Sequence, residues 1–290
     1  LAVYCSSWTF YGAVGTAARS GLSYLPIYLG PMLLFIVALP FFERMARVAK
    51  HRNATSISDL LSARFGRSRH IAVIVAIVAL MAAIPYLALQ LKAIAMSIEV
   101  LSGPQDVVSL IPWQSDSTFI VAMMLALFAS LFGTREVDAT EHHPGMVLAI
   151  AAESVIKLLA LLMVGIFAVF ALDGFEPVLA TARELPAKTD GAGVFLTQTL
   201  LSFLAIFCLP RQFQVGVVEC ADISDMRKAR WWFPGYLLLI SIVVIPIVAA
   251  VLSIDASSRA NVSPDAFVLW LPLSSGHDWL ALLAYLGGFS

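Results

Sequence analysis

The sequence predicts an all-α polytopic membrane protein, and three observations carry that prediction. Eight apolar stretches, each long enough or nearly long enough to cross a bilayer, account for most of the 290 residues. The composition is 60% hydrophobic and 13% charged, with a mean hydropathy of +0.89, more apolar surface than a soluble domain of 31.3 kDa could bury. The apolar runs lack strict alternation, and a backbone in lipid must satisfy its own hydrogen bonds. Helices are therefore predicted rather than the strands of a barrel.

The individual spans follow from apolar runs of roughly 20 residues, the length that crosses a hydrocarbon core of about 30 Å. Seven complete spans are predicted, and an eighth begins near Asp278. The seven are Leu1–Ala18, Leu25–Phe42, Ile71–Ile98, Thr118–Phe132, Gly145–Leu172, Val194–Phe213 and Phe233–Ile254. Both ends of the sequence fall inside apolar helices, so we expect the chain to be part of a longer protein.

Basic residues in the short loops predict the orientation of these spans. Twelve arginines and lysines lie on the side of the loop after the second span, and four lie on the opposite side. This bias places that loop in the cytoplasm, so the first span runs outward. The same loop contains a short helical pattern between Thr55 and Gly66, with a hydroxyl cap at its start and a glycine at its end. A short interfacial helix is predicted there.

Several function classes are excluded by what the sequence lacks. The net charge of −1 and the absence of a free basic stripe argue against a nucleic-acid partner. The three cysteines show no metal spacing, and the adjacent His142 and His143 after Glu141 do not share a helix face, so no metal site is predicted. No nucleophile triad or phosphate loop is present. The chain itself is not expected to be an enzyme or to hold a cofactor.

The first span contains a polar interruption in the middle of its apolar run. Ser6, Ser7, Trp8 and Thr9 follow Cys5, and glycines come after them. One interpretation is a continuous helix whose small residues allow close packing. The other is a discontinuous helix whose unwound carbonyls and hydroxyls bind a cation or a solute in the middle of the membrane.

The sixth span carries a second interruption near its cytoplasmic end. Pro210 removes a backbone hydrogen bond to the carbonyl of Ile206 and is predicted to kink the helix. Arg211, taken alone, is interpreted as an interface residue whose side chain reaches towards water. Gln212 is a candidate solute contact. Interruptions in the first and sixth spans, at corresponding places in two five-helix repeats, point to a transporter-type site.

Four further polar residues lie within predicted spans. Glu153 and Lys157 are four residues apart on the fifth span, in the order that favours an ion pair, and neither should face lipid. They are interpreted either as a structural pair or as part of gating or coupling. Tyr86 and Gln90 lie one turn apart on the third span. They either line a solute cavity or form a packed hydrogen-bonding pair.

The chain resembles the sodium/solute symporter family over nearly its whole length. The loop from Thr55 to Gly66 is similar to the family's signature T-x-x-x-[ED]-[FL]-x-x-x-R-[FY]-G. Leu131–Thr140 stands where the family has its glycine-rich turn, and Leu209–Phe213 through Arg227–Arg230 is similar to its sixth-helix stretch. The resemblance implies a LeuT-type inverted-repeat bundle over residues 1–290, with a first repeat at about 1–172 and a partial second repeat at about 194–290.

A narrower resemblance is to the symporter-like membrane modules of bacterial sensor histidine kinases. Five blocks carry it: Tyr4–Gly12, Leu25–Pro31, Pro85–Lys92, Asp138–His143 and Leu209–Phe213. It implies the sensory input part of a kinase that regulates nutrient use in the bacterial inner membrane, with the kinase region of the same polypeptide as a partner. In that interpretation the module binds a small solute, an amino acid or a carboxylate, and transports it or only senses it. The alternative is an ordinary Na⁺-coupled symporter without signalling output.

The resemblance also implies where an ion and a solute would bind. The family's sodium ligands on the first core helix are backbone carbonyls, which fall at Ala2 and Cys5, and its hydroxyl ligands would fall beyond Ser290. Polar solute contacts of the family fall at Trp8 and Thr9. A tryptophan at that position departs from the family's pattern and argues against a sugar as the solute.

Overall fold

The computed structural model describes residues 4–102, 117–128, 130–131, 144–220, 222–260 and 262–289, and within them the chain is helical with no strand. The all-helical prediction is therefore confirmed for these residues. In chain order the helices are α1 Ser7–Ser20, α2 Pro26–His51, α3 Ile57–Arg64, α4 Arg69–Ser102, α5 Ser117–Phe128, α6 Pro144–Ala171, α7 Glu176–Glu184, α8 Ala192–Cys208, α9 Pro210–Val218, α10 Ser224–Ser253, α11 Ala256–Arg259, α12 Phe267–Ser274 and α13 Asp278–Gly288.

The described helices include four that are long and apolar enough to cross a membrane, namely α2, α4, α6 and α10. The bent pair α8 and α9 makes a fifth when it is counted as one span. Shorter helices, α1, α5 and α13, lie over the other predicted spans. The chain is thus a multi-pass membrane protein, and the count of eight spans stays a prediction.

The short helix predicted between Thr55 and Gly66 is confirmed as α3, and its place at the membrane interface stays a prediction. The hydroxyl of Ser56 accepts a hydrogen bond from the backbone N–H of Asp59 at 3.1 Å, which caps the first turn. By contrast, α12 was not predicted. Its eight apolar residues are too few for a span, and an apolar run of that length between loops has no distinctive pattern.

The helices differ in how much of their surface faces outward. Along α4 the exposed side chains are large and apolar, for example Ile74, Met81 and Leu87. Such a surface is expected where lipid rather than water surrounds the helix. In contrast, most of α1 is buried, and it contacts α4, α10, α12 and α13. Because α1 is the central helix, the side chains and carbonyls at its start face other helices.

Polar contacts group the loops at two ends of the bundle. At one end Arg19 pairs with Asp265 at 2.9 Å, and the hydroxyl of Ser23 donates to Asp190 at 2.8 Å. At the other end Arg230 donates to the carbonyl of Ile36 at 2.8 Å. The first group belongs to the predicted outer side and the second to the predicted cytoplasmic side. The contacts agree with this grouping of the loops, and which end faces the cytoplasm stays a prediction.

The carboxylate of Asp222 lies just before the start of α10, at the end of the bundle predicted to be cytoplasmic. Asp222 accepts a hydrogen bond from the backbone N–H of Ser224 at 2.8 Å. This bond favours the ionised carboxylate and lowers the pKa of Asp222 below its ordinary value. The acid therefore stays charged at the helix N-terminus, where negative charge is favourable.

Gly30 allows α2 and α8 to pack closely, and its replacement tests that contact. A Cβ atom there would lie 2.5 Å from the backbone nitrogen of Phe203 and 2.6 Å from the Cβ of Ser202. Gly30→Ala is expected to lower the free energy of unfolding by about 1–3 kcal/mol, the cost of overpacking a filled site. Gly193→Ala is the control, because nothing lies within 4 Å of a Cβ at that position. Thermal unfolding in detergent compares the two, and equal midpoints would contradict the packing.

Candidate functional site

The start of α1 forms one side of the site. Tyr4 to Ser6 are not helical, and the helix begins at Ser7 inside the predicted first span. The backbone N–H of Ser6 donates to the Thr9 hydroxyl at 3.1 Å, and the two hydroxyls lie 2.9 Å apart. These bonds hold a buried helix start among other helices. A discontinuous first span stays a prediction. Ala2 lies outside the described residues.

The bend between α8 and α9 forms the opposite side. The two helices meet at 57°, and Leu209 between them has an extended backbone. Pro210 is the first residue of α9, where a missing N–H costs nothing. The bend redirects the chain directly after Cys208. As a result Arg211 and Gln212, which follow the proline, do not continue the line of α8.

Arg211 contacts the third predicted span, so its interpretation as a residue that reaches towards water is wrong. Its guanidinium carbon lies 3.9 Å from the ring centroid of Tyr86 on α4, and its Nη1 donates to the Tyr86 hydroxyl. Arg211 also lies close enough to Tyr4 for an electrostatic interaction. Its Nε is buried and has no hydrogen-bond partner among the described residues. The bend in the helix, which turns this side chain inward, explains the difference.

Gln90 joins α4 to the start of α1. Its Oε1 accepts the backbone N–H of Trp8 at 3.2 Å, one of the N–H groups that the first turn of a helix leaves free. Gln90 is only 9% exposed, and its Nε2 has no hydrogen-bond partner among the described residues. Buried donors without a partner are rare and call for an explanation. Gln90 supplies one such donor, and Arg211, which contacts Tyr86 one turn before Gln90 on α4, supplies another.

A cavity of about 310 Å³ lies beside α1, between α2 and α8. Its walls are mostly apolar, with a few polar groups among them. Six residues that bring those polar groups are Trp8, Thr9, Thr16, Ser23, Gln198 and Ser202. Trp8 contributes to the cavity and to the contact with α4, because its side chain lines the cavity while its backbone N–H binds Gln90. The volume is at the lower end of the range for small-molecule pockets.

Glu153 and Lys157 form an ion pair on α6, with 2.7 Å between Oε1 and Nζ. Lys157 is fully buried, and its Nζ also donates to the carbonyl of Cys5 at 2.6 Å. That carbonyl is one of the two expected sodium ligands. A second cation at the same oxygen would lie roughly 4 Å from the ammonium, where like charges repel by about 4 kcal/mol at an effective dielectric constant of 20. The residues present therefore do not fit a sodium ion at Cys5.

The predicted site residues fall into three groups. Trp8 and Gln90 are joined by a hydrogen bond, Tyr86 contacts Arg211, and Thr9 lines the cavity. Ser6 and Ser7 are buried at the helix start. Pro210 lies at the bend, and Gln212 lies on α9 with its backbone N–H bonded to Leu209.

Sequence reasoning missed Arg211 and the α8 side of the cavity. Gln198 and Ser202 are four residues apart within an apolar run, so they share one helix face. That spacing could have identified the polar side of α8. Arg211 could have been found only by asking where the chain turns after Pro210.

Comparisons with known proteins agree with this membrane architecture. The Sodium:solute symporter family matches residues 1–269. An uncharacterized symporter, YodF, from Bacillus subtilis (strain 168) is 25% identical over 247 residues, which cover 82% of this chain and 47% of the relative. The chain thus spans about half the length of that curated relative. No solved structure matches the chain. Because the family covers nearly all of the sequence, this chain belongs to the Sodium:solute symporter family.

Proposed function

We propose that this chain is a solute-binding symporter module and that its solute is a small molecule with a carboxylate group, such as an amino acid or a carboxylic acid. One observation carries the proposal. Arg211 lies against Tyr86 at the bend between α8 and α9, and its buried Nε lacks a partner among the described residues. A guanidinium presents a planar fork of donors that matches the two oxygens of a carboxylate.

Burial strengthens the preference for an anion. An arginine inside a membrane protein is costly unless it pairs or serves a function, and it then faces the bundle interior. Arg211 already uses one nitrogen for the Tyr86 hydroxyl. Gln90 adds a second buried N–H without a partner among the described residues. A protonated amine or a hydrocarbon would satisfy neither donor, whereas carboxylate oxygens accept hydrogen bonds from both kinds of group.

We place the rest of the solute in the cavity next to α1, whose lining includes Trp8, the residue bonded to Gln90, but not Arg211. Its apolar walls suit a short hydrocarbon portion, and hydroxyl and amide groups on Thr9, Ser202 and Gln198 suit a polar substituent. A cavity of about 310 Å³ fits a small solute of this kind better than an oligosaccharide or a peptide. The family resemblance supports the same location, between the first and sixth core helices.

We further propose an inverted-repeat bundle as the framework of the site. The first repeat would cover residues 1–172, and the chain would hold part of the second repeat in residues 194–290. The buried start of α1 and the bend between α8 and α9 support the proposal, because interrupted helices at corresponding places are typical of such transporters. Rocking of one group of helices against the other would then open the site alternately.

Two outputs are compatible with such a site. The five sequence blocks shared with symporter-like sensor modules support signalling to a kinase region of the same polypeptide, which would follow the membrane module. The family and the symporter relative support ordinary transport, with Na⁺ as a co-substrate in the conventional case. The natural continuation of the polypeptide separates them. A phosphoacceptor histidine and ATP-binding motifs favour sensing, and further membrane helices alone favour transport.

Thermal unfolding of the full-length protein in detergent tests solute binding. The panel contains amino acids, short mono- and dicarboxylates, sugars and amines. We expect at least one carboxylate to raise the unfolding midpoint in a concentration-dependent way, because a ligand that binds the folded state stabilises it. Stabilisation by sugars or amines alone would contradict the proposal that the solute carries a carboxylate group. No stabilisation by any compound would favour a membrane anchor that has lost binding.

Alkylation of a cysteine in the cavity tests the location. Ser202→Cys is made together with Cys208→Ala and Cys220→Ala, because these two natural cysteines are accessible whereas Cys5 is buried. We expect the carboxylate found in the panel to slow alkylation of the new thiol several-fold. As a control, Leu200→Cys on the exposed face of α8 should react at the same rate with and without the solute. Equal alkylation rates of Ser202→Cys with and without the solute would exclude this cavity as the solute site.

A further inference from the structure

The buried ammonium of Lys157 lies where the family resemblance implies a sodium ion. Its Nζ is 2.6 Å from the carbonyl oxygen of Cys5 and 2.7 Å from Oε1 of Glu153. We propose that the Lys157 ammonium replaces the sodium ion at this carbonyl, so that solute binding by this chain does not require Na⁺. The inference rests on the proposed function, because the need for a cation arises only in a module that binds a solute.

The oxygens around Lys157 are of the kind that a hard cation takes as ligands. A backbone carbonyl and a carboxylate are common ligands of such ions, and an ammonium group uses the same oxygens as hydrogen-bond acceptors. Cys5 lies outside α1, and the first intrahelical bond goes from Phe10 to the carbonyl of Ser6 at 2.9 Å. The Cys5 carbonyl is thus available to a cation, and Lys157 supplies that cation from the protein itself.

The groups around Lys157 do not displace its ammonium from the carbonyl of Cys5. Neighbouring phenol groups are directed elsewhere: Tyr28 donates to the carbonyl of Thr9 at 3.1 Å, and Tyr236 donates to that of Ser154 at 3.0 Å. On α13, a Cβ at Gly287 would lie 3.5 Å from the Cα of Lys157. Three helices, α1, α6 and α13, therefore meet around one lysine, at the junction where an ion would otherwise join them.

A permanent internal cation changes what the module needs from its environment. A sodium ion binds and leaves, and its concentration then controls the structure of the helix start. Lys157 is covalently attached, so the start of α1 is held at any Na⁺ concentration. The solute is then expected to bind equally well in sodium, potassium and choline salts.

The test measures ion binding to the full-length protein without any solute, so its failure is distinct from a failure of the proposed solute site. Equilibrium binding of radioactive sodium is measured for wild type, Lys157→Ala and Lys157→Arg. Thermal unfolding is followed in parallel in NaCl and in KCl at equal ionic strength. Wild type and Lys157→Arg are expected to show no saturable sodium binding and the same midpoint in both salts.

Lys157→Ala leaves the Glu153 carboxylate and the Cys5 carbonyl without their cation, so it is expected to gain saturable sodium binding. At a Na⁺ concentration tenfold above the dissociation constant, its unfolding equilibrium constant should fall about 11-fold. Saturable sodium binding by wild type would overturn the proposal. A folded Lys157→Ala protein that binds no sodium would overturn it as well. If this variant does not fold, Lys157→Gln replaces it, and the wild-type measurement remains decisive.

Discussion

Replacing Arg211 by methionine is expected to weaken binding of the carboxylate solute at least ~30-fold. Removing one partner of a buried, hydrogen-bonded charge pair costs about 2–5 kcal/mol, and every 1.4 kcal/mol is about tenfold in affinity. Methionine retains much of the side-chain length, so the face of Tyr86 stays covered. Calorimetric titration of the full-length protein with the solute measures the change.

Two control variants separate the role of Arg211 from a general loss of positive charge. Arg230 also lies over an aromatic ring, with 5.8 Å to the ring of Trp231, but it is exposed, at the end predicted to be cytoplasmic. Arg230→Met should therefore leave affinity unchanged. Arg211→Lys retains the charge and loses the planar fork, so an intermediate loss is expected. Wild-type affinity in Arg211→Met would exclude this guanidinium from the site.

Glu153→Ala is expected to lower the free energy of unfolding by about 3–5 kcal/mol. It leaves the fully buried ammonium of Lys157 with a single carbonyl partner, and breaking a buried ion pair from one side has a cost of this size. The double variant Glu153→Ala with Lys157→Met removes both charges and should recover most of that loss. Thermal unfolding of the single and double variants completes a mutant cycle.

A second ion pair with the same separation provides the control for Glu153. Lys228 and Asp225 are also 2.7 Å apart, but both are exposed. Asp225→Ala should cost less than about 1 kcal/mol, as is usual for surface pairs. An equally small effect for Glu153→Ala would show that the α6 pair is hydrated, which would contradict the burial of Lys157.

The long helices and the short helix α3 were predictable because they are marked by their own residues, whereas α12 was not. The fifth predicted span, Gly145–Leu172, and the observed helix Pro144–Ala171 differ by one residue at each end, since apolar character changes sharply there. The short interfacial helix was predictable from its cap. Such signals are local, so they can be read from the sequence without knowing which helices are neighbours.

The candidate site was predictable only in part, because its contacts join distant parts of the chain. The order and spacing of Glu153 and Lys157 indicated a pair on one helix face. Nothing local showed that Lys157 also reaches the carbonyl of Cys5, which is 152 residues away in the sequence. Arg211 was misinterpreted for a related reason. Its distance along the span indicated the interface, whereas the 57° bend before it turns the side chain towards α4.

The start of α1 links these separate features. Trp8 lines the cavity and binds Gln90 through its backbone, while Cys5, three residues earlier, accepts the Lys157 ammonium. A solute that moves Trp8 would therefore also displace the contacts at the start of α1. This connection provides a physical route from solute binding to helix movement, whether the output is transport or signalling.

Calorimetric titration with one solute and its amide tests the central claim most directly. The full-length protein is titrated with the carboxylate that raises its unfolding midpoint and with the corresponding uncharged amide, each in sodium and in potassium buffer. We expect saturable binding of the carboxylate in both salts and no measurable binding of the amide. Equal affinity for the amide, or heat of binding with neither compound, would contradict an arginine-centred carboxylate site between α1 and the α8–α9 bend.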